Sequence, residues 1–231
     1  MKCFSLPIQS LAVAVPLLGA FLLLQTSRAQ EVKTPPGVYD YYLLNLSWSP
    51  AFCSTLTTLN TVEQAARGST ECAVPHGFVL HGLWPQNFDG TYPASCDTRP
   101  GPQDWQRYLD MTPDVSLLKH EWAKHGTCTT LAPTTFFATA RQAYTSVHIP
   151  EAFRHVAQAQ MFAPDAILGM FYAANPSFPL GSFALSCGHN ELTAIEACFS
   201  RDSKPIACQN IRTCHANAVR VQPDASAGIV Q

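Results

Sequence analysis

Charge is scarce in this 231-residue sequence, in which Asp, Glu, Lys and Arg together make up 13% of the residues. Basic side chains number 14 against 16 acidic ones, and no run of lysines and arginines occurs. A protein that grips a long stretch of nucleic acid through many phosphates needs a basic surface. The composition therefore excludes extended nucleic-acid binding, and a polyanion would be held only a few nucleotides at a time in a local site.

Apolar runs long enough to cross a membrane are also missing. The longest candidate, Leu11 to Leu24, is shorter than the span of about 20 residues that a bilayer requires. Lys2 precedes it and the small-x-small triplet Ser27-Arg28-Ala29 follows it, which is the pattern of a secretory signal peptide. We therefore expect residues 1–29 to be a signal peptide and residues 30–231 to form one secreted or periplasmic domain without a membrane anchor.

No two cysteines have the C-x-x-C spacing of metal sites and redox motifs. Of nine cysteines in the sequence, eight remain once the segment that carries Cys3 is removed. An even number in an exported protein indicates a disulfide framework, here four bridges with 105 possible pairings. The cysteine count alone does not choose among these pairings.

Strand and helix patterns follow one another without an internal repeat. The aromatic and leucine-rich segment 38–48 predicts a central strand that ends at Ser49-Pro50, and Phe78 to Leu83 predicts a second buried strand. Further predictions are a loop at 87–102, helices at 112–125, 134–147, 150–160 and 164–175, and strands at 182–187 and 192–200. This mixture favours an α+β fold in which a central antiparallel sheet carries helices on one side.

The densest group of ionisable side chains lies in the segment His120-Glu121-Trp122-Ala123-Lys124-His125-Gly126-Thr127-Cys128, at the end of the helix predicted to begin at the capping residue Thr112. Each residue of an α-helix turns by about 100°, so Lys124 and His125 lie about 60° and 40° from Glu121. These three side chains share one helical face, with His120 at its edge.

Three familiar kinds of function fit this face poorly. A zinc hydrolase of the H-E-x-x-H type needs histidines four residues apart, whereas His120 and His125 are five apart and point about 140° away from each other. Hydrolysis by an activated serine or cysteine needs a nucleophile, yet no G-x-S-x-G turn occurs and the cysteines are expected to be oxidised. A non-enzymatic binding protein would explain one histidine better than a face that combines Glu, Lys and His.

Metal-free phosphoryl transfer fits better. The ribose 2′-hydroxyl of RNA can attack the adjacent phosphorus, so the protein has to supply a base, an acid and positive charge. Two histidines can act as base and acid together, one neutral and one protonated, and a lysine supplies the charge. His81, at the exit of the second predicted strand, is a candidate for the second histidine.

Two segments resemble the active-site segments of the ribonuclease T2 family. They are His81-Gly82-Leu83-Trp84-Pro85 and the segment 120–128, in the family's order and about 40 residues apart. The similarity extends from about Tyr39 to Cys214. It implies a metal-free and cofactor-free endoribonuclease, monomeric, that acts on single-stranded RNA or short oligoribonucleotides. Cleavage would pass through a 2′,3′-cyclic phosphate to 3′-phosphate ends, with little base specificity.

The resemblance also implies roles for individual residues. His125 would be the base on the 2′-hydroxyl, and His81 the acid on the leaving oxygen. Glu121 and Lys124 would stabilise the phosphorane, His120 would help to hold the phosphate, Trp84 would stack on a base, and Gln86 and Tyr92 would adjoin that base. Gln86 stands where some fungal relatives carry an acid. The implied bridges are Cys53–Cys72, Cys96–Cys128, Cys187–Cys214 and Cys198–Cys208.

The charges on the helical face predict the pH dependence. Glu121 favours the protonated form of His125, and Lys124 opposes it. Partial cancellation of the two effects predicts ordinary histidine pKa values and an activity optimum at about pH 5–7.

Overall fold

A computed structural model of the protein describes residues 30–58 and 70–224. Within these residues the helices are α1 (Ser49–Thr58), α2 (Val115–Lys124), α3 (Pro133–Ser146) and α4 (Pro164–Ala174). The strands are β1 (Gln30–Val32), β2 (Tyr41–Trp48), β3 (Phe78–Gln86), β4 (Thr91–Pro93), β5 (Gln160–Phe162), β6 (Phe183–Gly188), β7 (Glu191–Ser200) and β8 (Val219–Val221). The predicted signal peptide lies outside the described residues.

Four strands form the centre of the fold, in the order β3-β2-β7-β6, and each neighbouring pair among them is antiparallel. β8 makes one parallel bridge to β7 and pairs with β5 at the margin of the sheet. β1 and β4 form a separate parallel pair. The predicted α+β fold with a central antiparallel sheet is confirmed.

One face of this sheet meets the helices. Side chains alternate between the two faces along a strand, and Tyr42, Leu44, Leu46 and Trp48 of β2 all enter the main hydrophobic core. The helices contribute Leu118 and Trp122 from α2, Phe136, Phe137, Ala140 and Ala143 from α3, and Ile167 and Phe171 from α4. The helices thus pack on one side of the sheet, as predicted.

Among the described residues, the opposite face carries a small apolar cluster. Its buried members are Tyr41, Leu43 and Cys198, and Trp84, Ile206, Cys208 and Ile211 pack against them. Asn45 lies on this face between Gly82 of β3 and Glu196 of β7, and its Nδ2 donates to Glu196 Oε1 at 3.0 Å. This face therefore combines a thin apolar cover with buried polar groups.

The four disulfides that the resemblance implied are formed. They are Cys53–Cys72, Cys96–Cys128, Cys187–Cys214 and Cys198–Cys208. The last two hold the chain after β7 against β6 and β7, and the first joins α1 to the segment before β3. No helix among the described residues is long and apolar enough to cross a membrane.

Two element predictions are wrong. Segment 150–160 forms only a 3₁₀ turn at Glu151–Phe153 and then enters β5. Pairing of β5 with β8, and a hydrogen bond from Asp224 N to Val156 O at 2.9 Å, take up backbone groups that a helix would have used. The predicted loop at 87–102 contains β4, which pairs with β1.

The segment Ser49-Pro50 does end β2, but it also begins α1, which the sequence pattern did not reveal. Proline in the first turn of a helix loses no hydrogen bond, since the first N–H groups have no intrahelical partner. A strand therefore passes directly into a helix at this point.

Candidate active site

His81 occupies a β-bulge in β3. The register with β2 shifts there, because Asn45 lies opposite Gly82 whereas the next residue, Leu46, lies opposite Leu80. In a regular strand, residues three apart point to opposite faces. The extra residue instead brings the rings of His81 and Trp84 to one side of the sheet, with centroids 5.4 Å apart. Bulges re-aim side chains in this way beside many active sites.

Gly82, next to His81, leaves room for a side chain from α2. A Cβ atom at Gly82 would overlap the Glu121 carboxylate and the Trp84 indole nitrogen. Glycine in a strand interior often marks such a bulge or close approach. The glycine of the first motif is therefore required by the position of Glu121.

The chain before α2 is attached to β3 beside the bulge. Leu80 N donates to Met111 O at 3.0 Å, and Thr112 Oγ1 donates to Leu80 O at 2.6 Å. The prediction that Thr112 caps the helix is therefore wrong. Asp114 is the N-cap, and its carboxylate accepts from Ser116 N at 2.7 Å. The segment that leads into α2 is thus bonded to Leu80, the residue before His81.

The other end of α2 brings Glu121 and His125 to the same place. Nε2 of His81 lies 3.4 Å from Glu121 Oε1, and Trp84 Nε1 donates to Glu121 Oε2 at 2.6 Å. The Trp84 ring stacks on the His125 ring at a centroid distance of 5.3 Å and an angle of 28°. We call these four residues, His81, Trp84, Glu121 and His125, the catalytic cluster, after the role that we propose for them below. It joins the two sequence motifs in one contact network.

The other candidate residues surround the catalytic cluster. Lys124 Nζ lies 6.0 Å from the centre of the Tyr92 ring, and that ring lies 6.5 Å from the ring of His125. Gln86 is two residues after Trp84 on the same face of β3, and it is buried. His120 is exposed.

Burial disfavours the charged form of Glu121, whose side chain is 4% exposed. The hydrogen bond and positive charge of His81, together with the charge of His125 and the Trp84 N–H, outweigh that burial and hold the pKa of Glu121 below its usual value. A buried carboxylate that faces two imidazoles therefore remains ionised.

The pKa of His125 differs from the sequence prediction. Burial is the largest effect and lowers the pKa to about 4; Glu121 raises it, whereas Lys124, His120 and His81 lower it further. The expected cancellation between Glu121 and Lys124 omitted burial, which only the tertiary structure decides. His125 Nδ1 is buried without a hydrogen-bond partner among the described residues. No acceptor at this nitrogen therefore offsets the cost of protonating the buried ring.

The loop after β4 is fastened to the end of α2. Ser95 N donates to Lys124 O at 2.7 Å, and the Cys96–Cys128 disulfide lies beside this bond. The Arg99 guanidinium adds hydrogen bonds to the carbonyl oxygens of Thr127, Thr129 and Leu131. These bonds satisfy backbone oxygens after α2 and fix Lys124 and His125 relative to Tyr92.

Two further carboxyl groups near His81 were not predicted. Glu71 is buried, and its pKa is raised by burial although the charge of His81 opposes this. Burial raises the pKa of Glu196 to about 7, against the Asn45 hydrogen bond and the charge of His81. An acidic residue inside the apolar pattern of β7 was a usable signal for Glu196, whereas the sequence around Glu71 carries no pattern that indicates burial.

The two histidines of the second motif lie in different surroundings. Within residues 30–58 and 70–224, no three side chains of His, Cys, Asp or Glu converge in a way that could hold a metal ion. His120 is exposed and His125 is buried, so the two histidines of the second motif do not face a common point.

Comparison with known proteins agrees with the geometry. The family model described as the ribonuclease T2 family matches residues 39–208. A ribonuclease from Aeromonas hydrophila is 42% identical over 119 residues, which are 51% of this chain and 51% of that protein. Ribonuclease DdI from Dictyostelium discoideum is 29% identical over 218 residues and spans 82% of this chain and 90% of its own length. This chain thus matches about half the length of the first relative and most of the second.

Solved structures show the same fold. Ribonuclease MC1 from the seeds of bitter gourd superposes with a TM-score of 0.58 at 25% identity, covering 78% of this chain and 99% of that one. An RNase-related protein from Calystegia sepium has a TM-score of 0.58 at 20% identity, covering 80% and 97%. The family model covers most of the described chain, and the chain therefore belongs to the ribonuclease T2 family, a family of endoribonucleases.

Proposed function

We propose that this chain is an exported, metal-free endoribonuclease that cleaves single-stranded RNA by attack of a ribose 2′-hydroxyl on the adjacent phosphorus. A 2′,3′-cyclic phosphate forms first, and its hydrolysis leaves a 3′-phosphate end. The observation that carries the proposal is the catalytic cluster, in which Glu121 contacts His81 and Trp84 while His125 stacks on Trp84. Two imidazoles held around one carboxylate supply the two proton transfers that this reaction requires.

The two histidines have different surroundings, which supports different roles. Neutral His125 takes the proton of the 2′-hydroxyl as that oxygen attacks phosphorus, and protonated His81 gives a proton to the leaving 5′-oxygen. Hydrolysis of the cyclic phosphate reverses the transfers: His81 takes a proton from water and His125 returns one to the 2′-oxygen. Burial keeps His125 neutral, and the Glu121 carboxylate lies 3.4 Å from His81 Nε2, in the position of a partner for an imidazolium.

Positive charge for the phosphorane comes from the end of α2. Lys124 supplies an ammonium group in the last turn of the helix, and exposed His120 helps to hold the phosphate from the edge of the site. Both oxygens of Glu121 are engaged, by His81 and by Trp84. Glu121 therefore supports the transition state by fixing these two side chains as well as by its charge.

The base next to the scissile phosphate stacks on Trp84, with Gln86 and Tyr92 beside it. Stacking on an aromatic ring tolerates every base because every base has a π-face. The Gln86 amide can present either its oxygen or its NH2 group to a base edge, so it suits more than one base. We therefore propose little base specificity.

The nature of the product tests the reaction. Purified protein is incubated with a diribonucleoside monophosphate, and the products are identified by chromatography and mass spectrometry. We expect a nucleoside 2′,3′-cyclic phosphate that decays to the 3′-phosphate. The 2′-O-methyl analogue, which has no nucleophile, stays intact. A binding protein would yield no product, and a 5′-phosphate product or cleavage of the 2′-O-methyl analogue would refute the mechanism.

Export and a monomeric state belong to the same proposal. Four disulfides suit an oxidising compartment outside the cytosol. Protein collected from the periplasm or medium of an expressing bacterium should begin at Gln30 by N-terminal sequencing and elute as a monomer. Retention of residues 1–29, or a dimer at micromolar concentration, would contradict these two statements.

A further inference from the structure

An open pocket of about 560 Å³ lies between the β3–β4 turn and the chain that follows β7. Its lining residues are Phe88, Ile206, Ala207 and Gln209, which together form what we call the Phe88 pocket. None of the four belongs to the catalytic cluster or to the two sequence motifs. The pocket is open to solvent over most of its boundary.

The small apolar cluster connects this pocket to Trp84. Trp84 and Ile206 both pack against its buried members. The Phe88 ring stacks on the ring of Tyr41, one of those members, at a centroid distance of 5.4 Å and an angle of 12°. Phe88 is four residues beyond Trp84. At about 3.3 Å per residue of strand, their Cα atoms are roughly 13 Å apart at most. The pocket is therefore a continuation of the surface on which Trp84 lies.

Both walls of the pocket are held in place. The turn that carries Phe88 is closed by hydrogen bonds from Asn87 N to Thr91 O at 2.9 Å and from Gly90 N to Asn87 O at 3.1 Å. The opposite wall is anchored by the Cys198–Cys208 disulfide, and Tyr41 Oη donates to Gln209 O at 3.0 Å. A preformed pocket loses little conformational entropy when a ligand binds.

Phe88 is 48% exposed although it is a large aromatic residue. Exposed aromatic rings beside a nucleic-acid site serve as stacking platforms for single-stranded bases. The Gln209 side chain, exposed at the same pocket, carries both a donor and an acceptor that suit the edge of a base.

The chain around the pocket carries charges of both signs, and none of the four lining residues is charged. Residues 201–212 contain Arg201, Lys204 and Arg212 against the single acid Asp202, in a chain whose net charge is −2. Ser200 N donates to Lys204 O at 2.8 Å, and the Arg201 guanidinium lies over the Tyr39 ring at 4.5 Å. The carboxylates of Asp40 and Asp89 also lie at the turn, where they accept hydrogen bonds from Phe88 N and from Thr91.

We propose that the Phe88 pocket is an additional nucleotide subsite, which takes a base of the RNA strand beyond the two nucleotides that flank the scissile phosphate. The base stacks on Phe88, and the Gln209 amide contacts its edge. This inference rests on the proposed RNA cleavage, but it makes a separate claim: substrates longer than a dinucleotide gain from a surface that a dinucleotide does not reach.

The test compares kcat/KM for a dinucleotide with that for two trinucleotides, one extended at the 5′ end and one at the 3′ end. The variants are Phe88→Ala, Phe88→Leu, Phe88→Tyr and Gln209→Ala. The control is Met161→Ala, which removes a side chain that is 61% exposed on β5, at the other end of the sheet order. Melting temperatures of all variants show whether folding is retained.

We expect Phe88→Ala and Phe88→Leu to lower kcat/KM about tenfold on one of the two trinucleotides and less than twofold on the dinucleotide, since stacking is lost. Phe88→Tyr and Met161→Ala should match the wild type, and Gln209→Ala should show a smaller loss on the same trinucleotide. Equal losses on all three substrates, or none on either trinucleotide, would overturn the subsite.

Failure of the proposed function gives a different result, because the wild type would then leave the dinucleotide and both trinucleotides intact. In that case the subsite is tested by titrating 2′-O-methyl oligonucleotides of two and three residues against tryptophan fluorescence. Tighter binding of one trinucleotide that Phe88→Leu abolishes supports the subsite. Equal binding by the two proteins rejects it.

Discussion

The two faces of β2 differ in what covers them. Leu44 and Leu46 enter a core to which α2, α3 and α4 contribute aromatic rings, whereas Leu43 lies in a cluster with three buried members. Buried polar groups such as Asn45, and the rings of His81 and Trp84, occur on the thinly covered side. One strand thus contributes stability through one face and supports the chemistry through the other, because adjacent side chains point in opposite directions.

The largest expected effect is a loss of activity from substitutions on the thinly covered side of the sheet. His81→Ala or His125→Ala should lower kcat on a dinucleotide by about 10²–10⁴-fold, since each removes one of the two proton transfers. The melting temperature should change little for His81→Ala, whose side chain is 39% exposed. Initial rates and thermal unfolding measure the two effects. A His81→Ala enzyme with near-normal rate would mean that the acid is another residue.

Neighbouring leucines test the division between the faces directly. Leu44→Ala should lower the free energy of unfolding by about 2–5 kcal/mol, because it leaves a cavity in the main core. Leu43→Ala, in the small cluster, should cost less stability but reduce kcat/KM several-fold, because Trp84 packs against that cluster. Urea unfolding and dinucleotide kinetics of both variants decide the matter. Equal effects of the two variants on stability and on activity would show that the faces are not separate.

The Cys96–Cys128 bridge links the loop after β4 to the end of α2, so its loss should affect both properties. The double variant Cys96→Ala, Cys128→Ala should lose about 2–5 kcal/mol of stability. Its activity should also fall, because Lys124 and His125 lie just before Cys128. Removal of Cys53 and Cys72 is the matched control, which should lower stability without an equal loss of activity. Unchanged activity and melting temperature without Cys96 and Cys128 would contradict this role.

The buried position of His125 predicts an unusual acid limb. The base must be neutral, so the lower limb of kcat/KM against pH should lie near pH 4. In Glu121→Gln the limb should move to still lower pH, because the Glu121 charge raises the pKa of His125. A wild-type limb near pH 6.5 would show that His125 is solvated or is not the base.

The same burial links stability to pH. The folded pKa of His125 lies below that of the unfolded chain, so the unfolded state binds the extra proton between about pH 6.5 and 4. The free energy of unfolding is therefore unaffected by His125 above that range. It decreases as pH falls through the range, by up to about 3 kcal/mol. The depressed pKa of Glu121 acts in the same direction at lower pH. Urea unfolding between pH 4 and 8 measures this slope.

Metal removal should have the smallest effect. Excess EDTA is expected to leave RNA cleavage unchanged, because the proposed reaction uses only the two imidazoles and the Lys124 ammonium group. The rate is measured with and without chelator, followed by addition of zinc. Loss of activity that zinc restores would revive a metal-dependent mechanism.

Much of the fold follows from local patterns. The strands at β2, β6 and β7 and the helices α3 and α4 were predicted close to their observed bounds, because hydrophobic alternation and helical spacing report which side of an element is buried. Segment 150–160 was misread because its backbone pairs with a distant strand. Such pairing overrides local preference, and no window of the sequence contains both partners.

The sequence by itself determined that Glu121, Lys124 and His125 lie on one side of a helix, since this spacing depends only on the geometry of one helix. Only the tertiary structure decided how they act. The bulge at His81 turns its ring toward Trp84, and Gly82 admits the Glu121 carboxylate. Burial of His125 then sets its pKa, because desolvation depends on what surrounds a side chain and not on its neighbours along the chain.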